Sequence, residues 1–271
     1  MEEKKKDNKG LIIIIVILVI VLLGLGFYIL VDKDIIKLKS ITEVEDKEEP
    51  KEKIEELDVN NENIKDMFNT VHDSFVFGNI DSEIYGNKKL STSEMENNYK
   101  FKLAGRIFYD KMNQISSSNE MMIYEIAEED VKSAYERIFG PNSYNQVSKF
   151  SLGCGDYNYD SNKKVYSLLQ PGCGGTTSFG AFENIIKVLK YEDRIEIIGA
   201  VVFADQETSV LYKDYSRTTK LSEFNCATTN YETYFETYIN DNKDNLQQYT
   251  YTFKLGDDGF YYYTGFERTK D

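Results

Sequence analysis

Cys154, Cys173, Cys226 and His72 are the side chains of this 271-residue chain best suited to nucleophilic or transition-metal chemistry, and their spacing limits what they can do. A thiol nucleophile needs an adjacent base, most often histidine. A thiol dyad would therefore have to join His72 to Cys154 or Cys173, across 80 or more intervening positions. Zinc sites draw ligands from closely spaced pairs, and none of the four lies in a Cys-x2-Cys or His-x3-His spacing. Asp156, Asn158 and Asp160 match the first, third and fifth positions of a calcium loop. Ser161 then stands where the sharp turn needs glycine, and Ser167 where a bidentate glutamate closes the site. The glycines of PGCGGTTSFG lack the lysine of a phosphate-binding loop. The 46 acidic residues include no pair that stands out for glycosidase chemistry, and the absence of tryptophan removes a common sugar-stacking surface. These motifs assign no catalytic, metal-binding or cofactor-binding residue, and no cofactor is expected.

Two readings of the cysteines stay open. The segment from Asp156 to Asn162 alternates, which puts Asp156, Asn158 and Asp160 on a wet strand face and Tyr157 and Tyr159 inward. A hairpin turning at Asp160-Ser161-Asn162 could bring Cys154 and Cys173 within disulfide reach. Closing that loop would stabilise by roughly 3 kcal/mol in the chain-entropy view. Cys226 would then be free, or would replace one partner. The odd count favours the competing arrangement, three reduced thiols.

The surrounding elements change character along the chain. Ile64, Met67, Phe68, Val71 and Phe75 recur at threes and fours, predicting a helix capped by Asp58 or Asn60 and ended by Gly78. Ser91-Thr92-Ser93-Glu94 has capping-box spacing ahead of a stripe of Met95, Tyr99, Leu103 and Ile107. A third helix runs through AEEDVKSAYERIF and stops at Gly140-Pro141. Beyond Phe150 the period becomes two. Strands are expected over 165–169, 185–190, 195–204 and 209–215, with a short helix over 232–245 and a closing hairpin QYTYTFKL-GDDG-FYYYTGFER. Tyr249, Tyr251, Tyr261, Tyr262 and Tyr263 on this hairpin are the candidate binding face.

Leu11–Val31 is an uncharged run of apolar residues. As a helix it spans about 32 Å, enough to cross a hydrocarbon core of about 30 Å. It is too long for a signal-peptide core and lacks a small-residue cleavage site. The expected organisation is a cytoplasmic tail (1–10), a transmembrane anchor (11–31), a Lys/Glu-rich stalk (32–55) and an extracytoplasmic domain (56–271). Lysines flank the span on both sides, so orientation rests on the shortness of the tail. A net charge of -14 opposes contact with nucleic-acid phosphates and anionic headgroups.

The anchor-and-stalk layout, together with YTYTFKLGDDGFYYYTGFE, resembles uncharacterised single-pass membrane-anchored proteins of Gram-positive, AT-rich bacteria. That resemblance implies a location and no activity. The fold class expected is α+β, with helices on a curved, mostly antiparallel sheet of the kind seen in NTF2-like and cystatin-like domains. The function expected is binding or scaffolding at the cell envelope, through the membrane helix and an unknown envelope protein or ligand. The alternative is an envelope hydrolase with Cys or carboxylate chemistry.

Overall fold

The computed structural model describes residues 52–77, 81–87, 89–118, 121–153, 155–170, 178–225 and 230–271. The anchor segment Leu11–Val31, most of the stalk, and Cys154, Cys173 and Cys226 lie outside the described residues. The expectations placed on them are not addressed by the fold. Among the described residues no helix is long and apolar enough to cross a membrane.

In chain order the elements are β1 (Glu55–Glu56), α1 (Glu62–Phe77), α2 (Asp81–Gly86), β2 (Lys89–Ser91), α3 (Asn97–Tyr109), β3 (Asn113–Ser118), β4 (Met121–Ala127) and α4 (Glu128–Phe139). Then follow β5 (Lys149–Leu152), β6 (Gly155–Asp160), β7 (Val165–Gln170), β8 (Phe179–Lys190), β9 (Arg194–Asp205), β10 (Val210–Tyr212) and β11 (Lys220–Glu223). Helix α5 (Tyr231–Asn242) leads into the final hairpin, β12 (Gln247–Leu255) and β13 (Tyr261–Lys270). The chain is α+β, and every described strand pair is antiparallel.

There are two sheets where one was expected. The larger has the order β1-β8-β9-β12-β13-β2, with β10 and β11 continuing beside β9; the smaller has the order β3-β4-β7-β6-β5. Helices α1, α3 and α4 pack side by side, with α3 against β5 of the smaller sheet and α4 against β13 of the larger. One continuous core results, running from Ile197 and Tyr251 through Phe75 and Leu103 to Phe150 and Tyr166. Phe101, Phe150 and Tyr157 stack in series, with centroids 4.6 and 4.7 Å apart. Helix α5 covers the other face of the larger sheet, where Ala200, Val202 and Ala204 meet Phe235 and Ile239.

Local signals explain several boundaries. Asn61, one residue beyond the expected cap, accepts from the backbone N–H groups of Asn63 (3.0 Å) and Ile64 (3.3 Å) to start α1. The Ser91–Glu94 box forms, with Glu94 accepting from the Ser91 N–H at 3.2 Å and its hydroxyl at 2.7 Å, but it closes a turn after β2. Helix α3 begins later, and its buried face is Phe101, Leu103, Ala104 and Phe108, with Tyr99 and Ile107 only half-buried. Gly140, at φ +94°, ends α4 as expected. The hairpin at Asp160 is also present. Its carboxylate accepts from the N–H groups of Asn162 (2.9 Å) and Lys163 (3.2 Å), with Tyr157 buried and Asp156 and Asn158 exposed.

Candidate functional site

Helix α1 carries candidate functional side chains on two flanks. Its inner flank, His72 and Phe68, faces a buried polar centre. Another flank, Asp66, Met67 and Thr70, faces an open cleft.

The polar centre is built on Glu183 of β8. Period two places Ala181, Glu183 and Ile185 on the face under α1, and the Glu183 side chain has no solvent exposure. Room for its carboxyl exists because β9 has Gly199 there. A Cβ on Gly199 would lie 2.1 Å from Glu183 Oε1. Three elements converge on the other oxygen. The hydroxyl of Tyr85 from α2 donates to Oε2 at 2.9 Å, and that of Tyr251 from β12 at 2.6 Å. Nε2 of His72 lies 3.7 Å away. His72 is stacked on Phe68, one helical turn earlier, and is 14% exposed. Glu183 Oε1, His72 Nε2 and the Tyr263 hydroxyl are buried and have no hydrogen-bond partner among the described residues.

Burial pushes the Glu183 carboxyl above its usual range, opposed by His72 and by the two phenols that donate to it. Burial also raises the phenols of Tyr85, Tyr251 and Tyr263, and the negative charge of Glu183 adds to that. Such a centre can hold a proton and can tie α1, α2 and β12 to β8. The Glu183 side chain itself has no solvent exposure, although Glu183 and Phe68 also line a groove between α1 and α5. Among the described residues no cluster of three or more His, Cys, Asp or Glu could hold a metal.

The cleft is open. It has a volume of 640 Å³ and lies between α1, α4 and the β12–β13 hairpin. Val71, Phe253 and Tyr263 line its buried side, while Met67, Phe260 and Tyr262 stand closer to solvent. Phe260 is 68% exposed. Asp66 and Arg137 form an ion pair across the helices at 3.1 Å, and Glu136 lies beside them. At the hairpin tip the Tyr262 hydroxyl donates to Asp258 at 2.5 Å. That bond holds the Asp258 carboxyl below its ordinary value and raises Tyr262 to about 12.

The five hairpin tyrosines therefore do not share one exposed face. Tyr249, Tyr251 and Tyr263 are buried, because the inward positions of the period-two runs take them into the core. Tyr261 and Tyr262 are half-buried and line the cleft, joined there by one edge of Tyr263. Sequence reasoning passed over Glu183, although a lone acid in the apolar run FGAFENIIKVLK was its signal. His72, next to Val71, lies at the boundary of the buried face of α1, 14% exposed. No protein family, no curated protein and no solved structure matches the chain.

Proposed function

We propose that this chain is a membrane-anchored binding module of the cell envelope, and that its cleft takes a peptide segment pairing an apolar side chain with a basic one. Residues 11–31 would span the membrane with the ten-residue tail in the cytoplasm, and the stalk would carry the folded domain outside. The larger sheet with α1 on its inner face is the part that would relate the domain to NTF2-like and cystatin-like folds. The observation that carries the binding reading is the cleft itself. Its walls are aromatic and aliphatic, and its rim holds two carboxylates against one guanidinium. Aromatic faces attract cations, and a concave apolar site with few polar groups is the usual form of a binding pocket.

The test is selection of a random peptide library on the full chain. Enriched sequences should pair Lys or Arg with an aromatic or aliphatic residue, and Met67→Glu and Tyr262→Ala should weaken them. Absence of enrichment, or enrichment indifferent to both variants, would overturn the assignment. The location is tested separately by adding protease to intact cells, which should degrade the domain. A domain left whole on intact cells would place it on the other side of the membrane.

A further inference from the structure

Among the described residues, strand β8 has one edge that is paired over only part of its length. It is hydrogen-bonded to β9 along its whole length, from Phe179 to Lys190. On the other side β1 pairs only with Leu189 and Lys190, and Leu57 N–H donates to the Val188 carbonyl at 3.0 Å. From Phe179 to Ile186 no strand among the described residues pairs with it. In an antiparallel sheet every second residue turns its N–H and C=O outward, so about four residues present unpaired backbone groups along this stretch.

The edge is no flat rim. A groove of 390 Å³ lies beside its Glu183–Ile185 stretch, with Lys65, Phe68 and Asn69 of α1 on one wall and Glu236 and Asn240 of α5 on the other. Asn184 fixes the α5 wall by donating to Asn240 Oδ1 at 3.0 Å. The walls carry opposite charge. Lys65 is exposed, its ammonium donating to Asn60 Oδ1 (3.2 Å), and among the described residues neither it nor the exposed Glu236 makes an ion pair. Neighbouring strands lie about 4.8 Å apart, so one added strand fits between the helices. A second copy of the chain would bring its own α1 and α5 against these two.

We propose that the free edge of β8, between α1 and α5, takes one extended peptide segment of a partner protein as an added strand. An acidic side chain of that segment meets Lys65, and a basic one on its opposite face meets Glu236. Backbone pairing supplies the affinity and the alternating side chains the selectivity. This site is on a different flank of α1 from the cleft and does not rest on it.

The experiment is hydrogen exchange on the full chain with an acetylated octapeptide of alternating threonine and valine, carrying one glutamate and one lysine on opposite faces. A twin peptide has the two charges exchanged. The better-matched peptide should slow exchange of amides within Phe179–Ile186 and leave the cleft residues unchanged. The double variant Lys65→Glu with Glu236→Lys should reverse the preference between the twins, by about two- to fivefold per exchanged charge. Reversal also shows that the variant is folded. The amides of β8 bonded to β9 are slow in any case; outward-facing amides already slow in the peptide-free monomer would mean that the chain covers its own edge, and would overturn the proposal. So would protection that grows with protein concentration alone, which would indicate self-pairing, or protection by the peptides with no charge preference.

Discussion

On the α5 side of the larger sheet, β9 presents Ala200, Val202 and Ala204 to Phe235 and Ile239. On the α1 side the same strand presents Ile197, Gly199, Val201 and Phe203, and between Gly199 and α1 lies the Glu183 carboxyl. The two faces are equally buried and differ in what holds them. Small alanines let α5 approach closely, and dispersion and apolar burial do the rest. Under α1 a carboxyl must be kept hydrogen-bonded out of water, and what that face gains in apolar contact is partly offset by desolvation. The apolar face should therefore tolerate changes of shape poorly and changes of pH well. The polar face should show the reverse.

The largest effect expected is on the apolar face. Phe235 is 1% exposed, with its ring centroid 4.0 Å from that of Phe182. Phe235→Ala should cost about 3–5 kcal/mol in urea unfolding. A cost below about 1 kcal/mol would mean that α5 is held by something other than this contact. On the polar face, Tyr251→Phe removes a bond to Glu183 and should cost about 1.5–3 kcal/mol. Combining Glu183→Met, Tyr85→Phe and Tyr251→Phe removes the orphaned partners as well. The triple variant should then be more stable than Tyr251→Phe alone, because an apolar replacement of a whole buried polar group is often neutral or better. A triple variant less stable than the single one would mean that these groups hold more than each other.

The comparison sharpens with pH. The Glu183 carboxyl titrates higher in the folded state than its ordinary 4.5, because burial disfavours its charge. The stability it contributes is therefore fully present below about pH 4.5 and is lost as pH rises through its raised folded value. Relative to the wild type, Glu183→Gln should gain stability across that same rise and show no trend at lower pH. Phe235→Ala should give a pH-independent difference throughout. A flat Glu183→Gln difference would show that the phenols and His72 fully offset the desolvation.

How much of this was legible depended on period. The larger sheet could be read in part: Tyr249 to Phe253 alternate cleanly, and parity takes Tyr249, Tyr251 and Phe253 to the α1 side, whereas Ile195 to Ala204 is apolar almost throughout because β9 is covered on both faces. The Glu183 centre was not legible, because its members come from α1, α2, β8, β12 and β13. Parity places a side chain on a face without saying which distant element lies opposite. The lone acid in β8 and the glycine at 199 were each visible, but only the β8–β9 register, which pairs Ile185 with Gly199, explains why one needs the other. The smaller sheet was only partly foreseen. NQISSS, the sequence of β3, has almost no apolar residue to alternate. The free edge of β8 was invisible for a simpler reason: hydrophobic pattern reports burial of faces, and an edge is a matter of backbone pairing.

The smallest effect expected lies outside both faces, at the tip of the β12–β13 hairpin beside the cleft. There the Tyr262 hydroxyl donates to the exposed Asp258 carboxylate at the surface, a phenol–carboxylate pair like the one that Tyr251 and Glu183 form inside the core. In water the bond replaces one to solvent and contributes little to folding, yet it still favours the carboxylate over its protonated form. Tyr262→Phe should therefore leave the unfolding midpoint unchanged while the Asp258 titration, followed by NMR, moves up toward 3.8. The depressed Asp258 adds stability only above its unfolded value and loses it as pH falls through the folded one. Any difference between Tyr262→Phe and wild type should therefore disappear under acid conditions. A midpoint that falls as far for Tyr262→Phe as for Tyr251→Phe would erase the distinction between the two sites. Burial of the acceptor would then not be what sets the cost of losing a tyrosine hydroxyl in this protein.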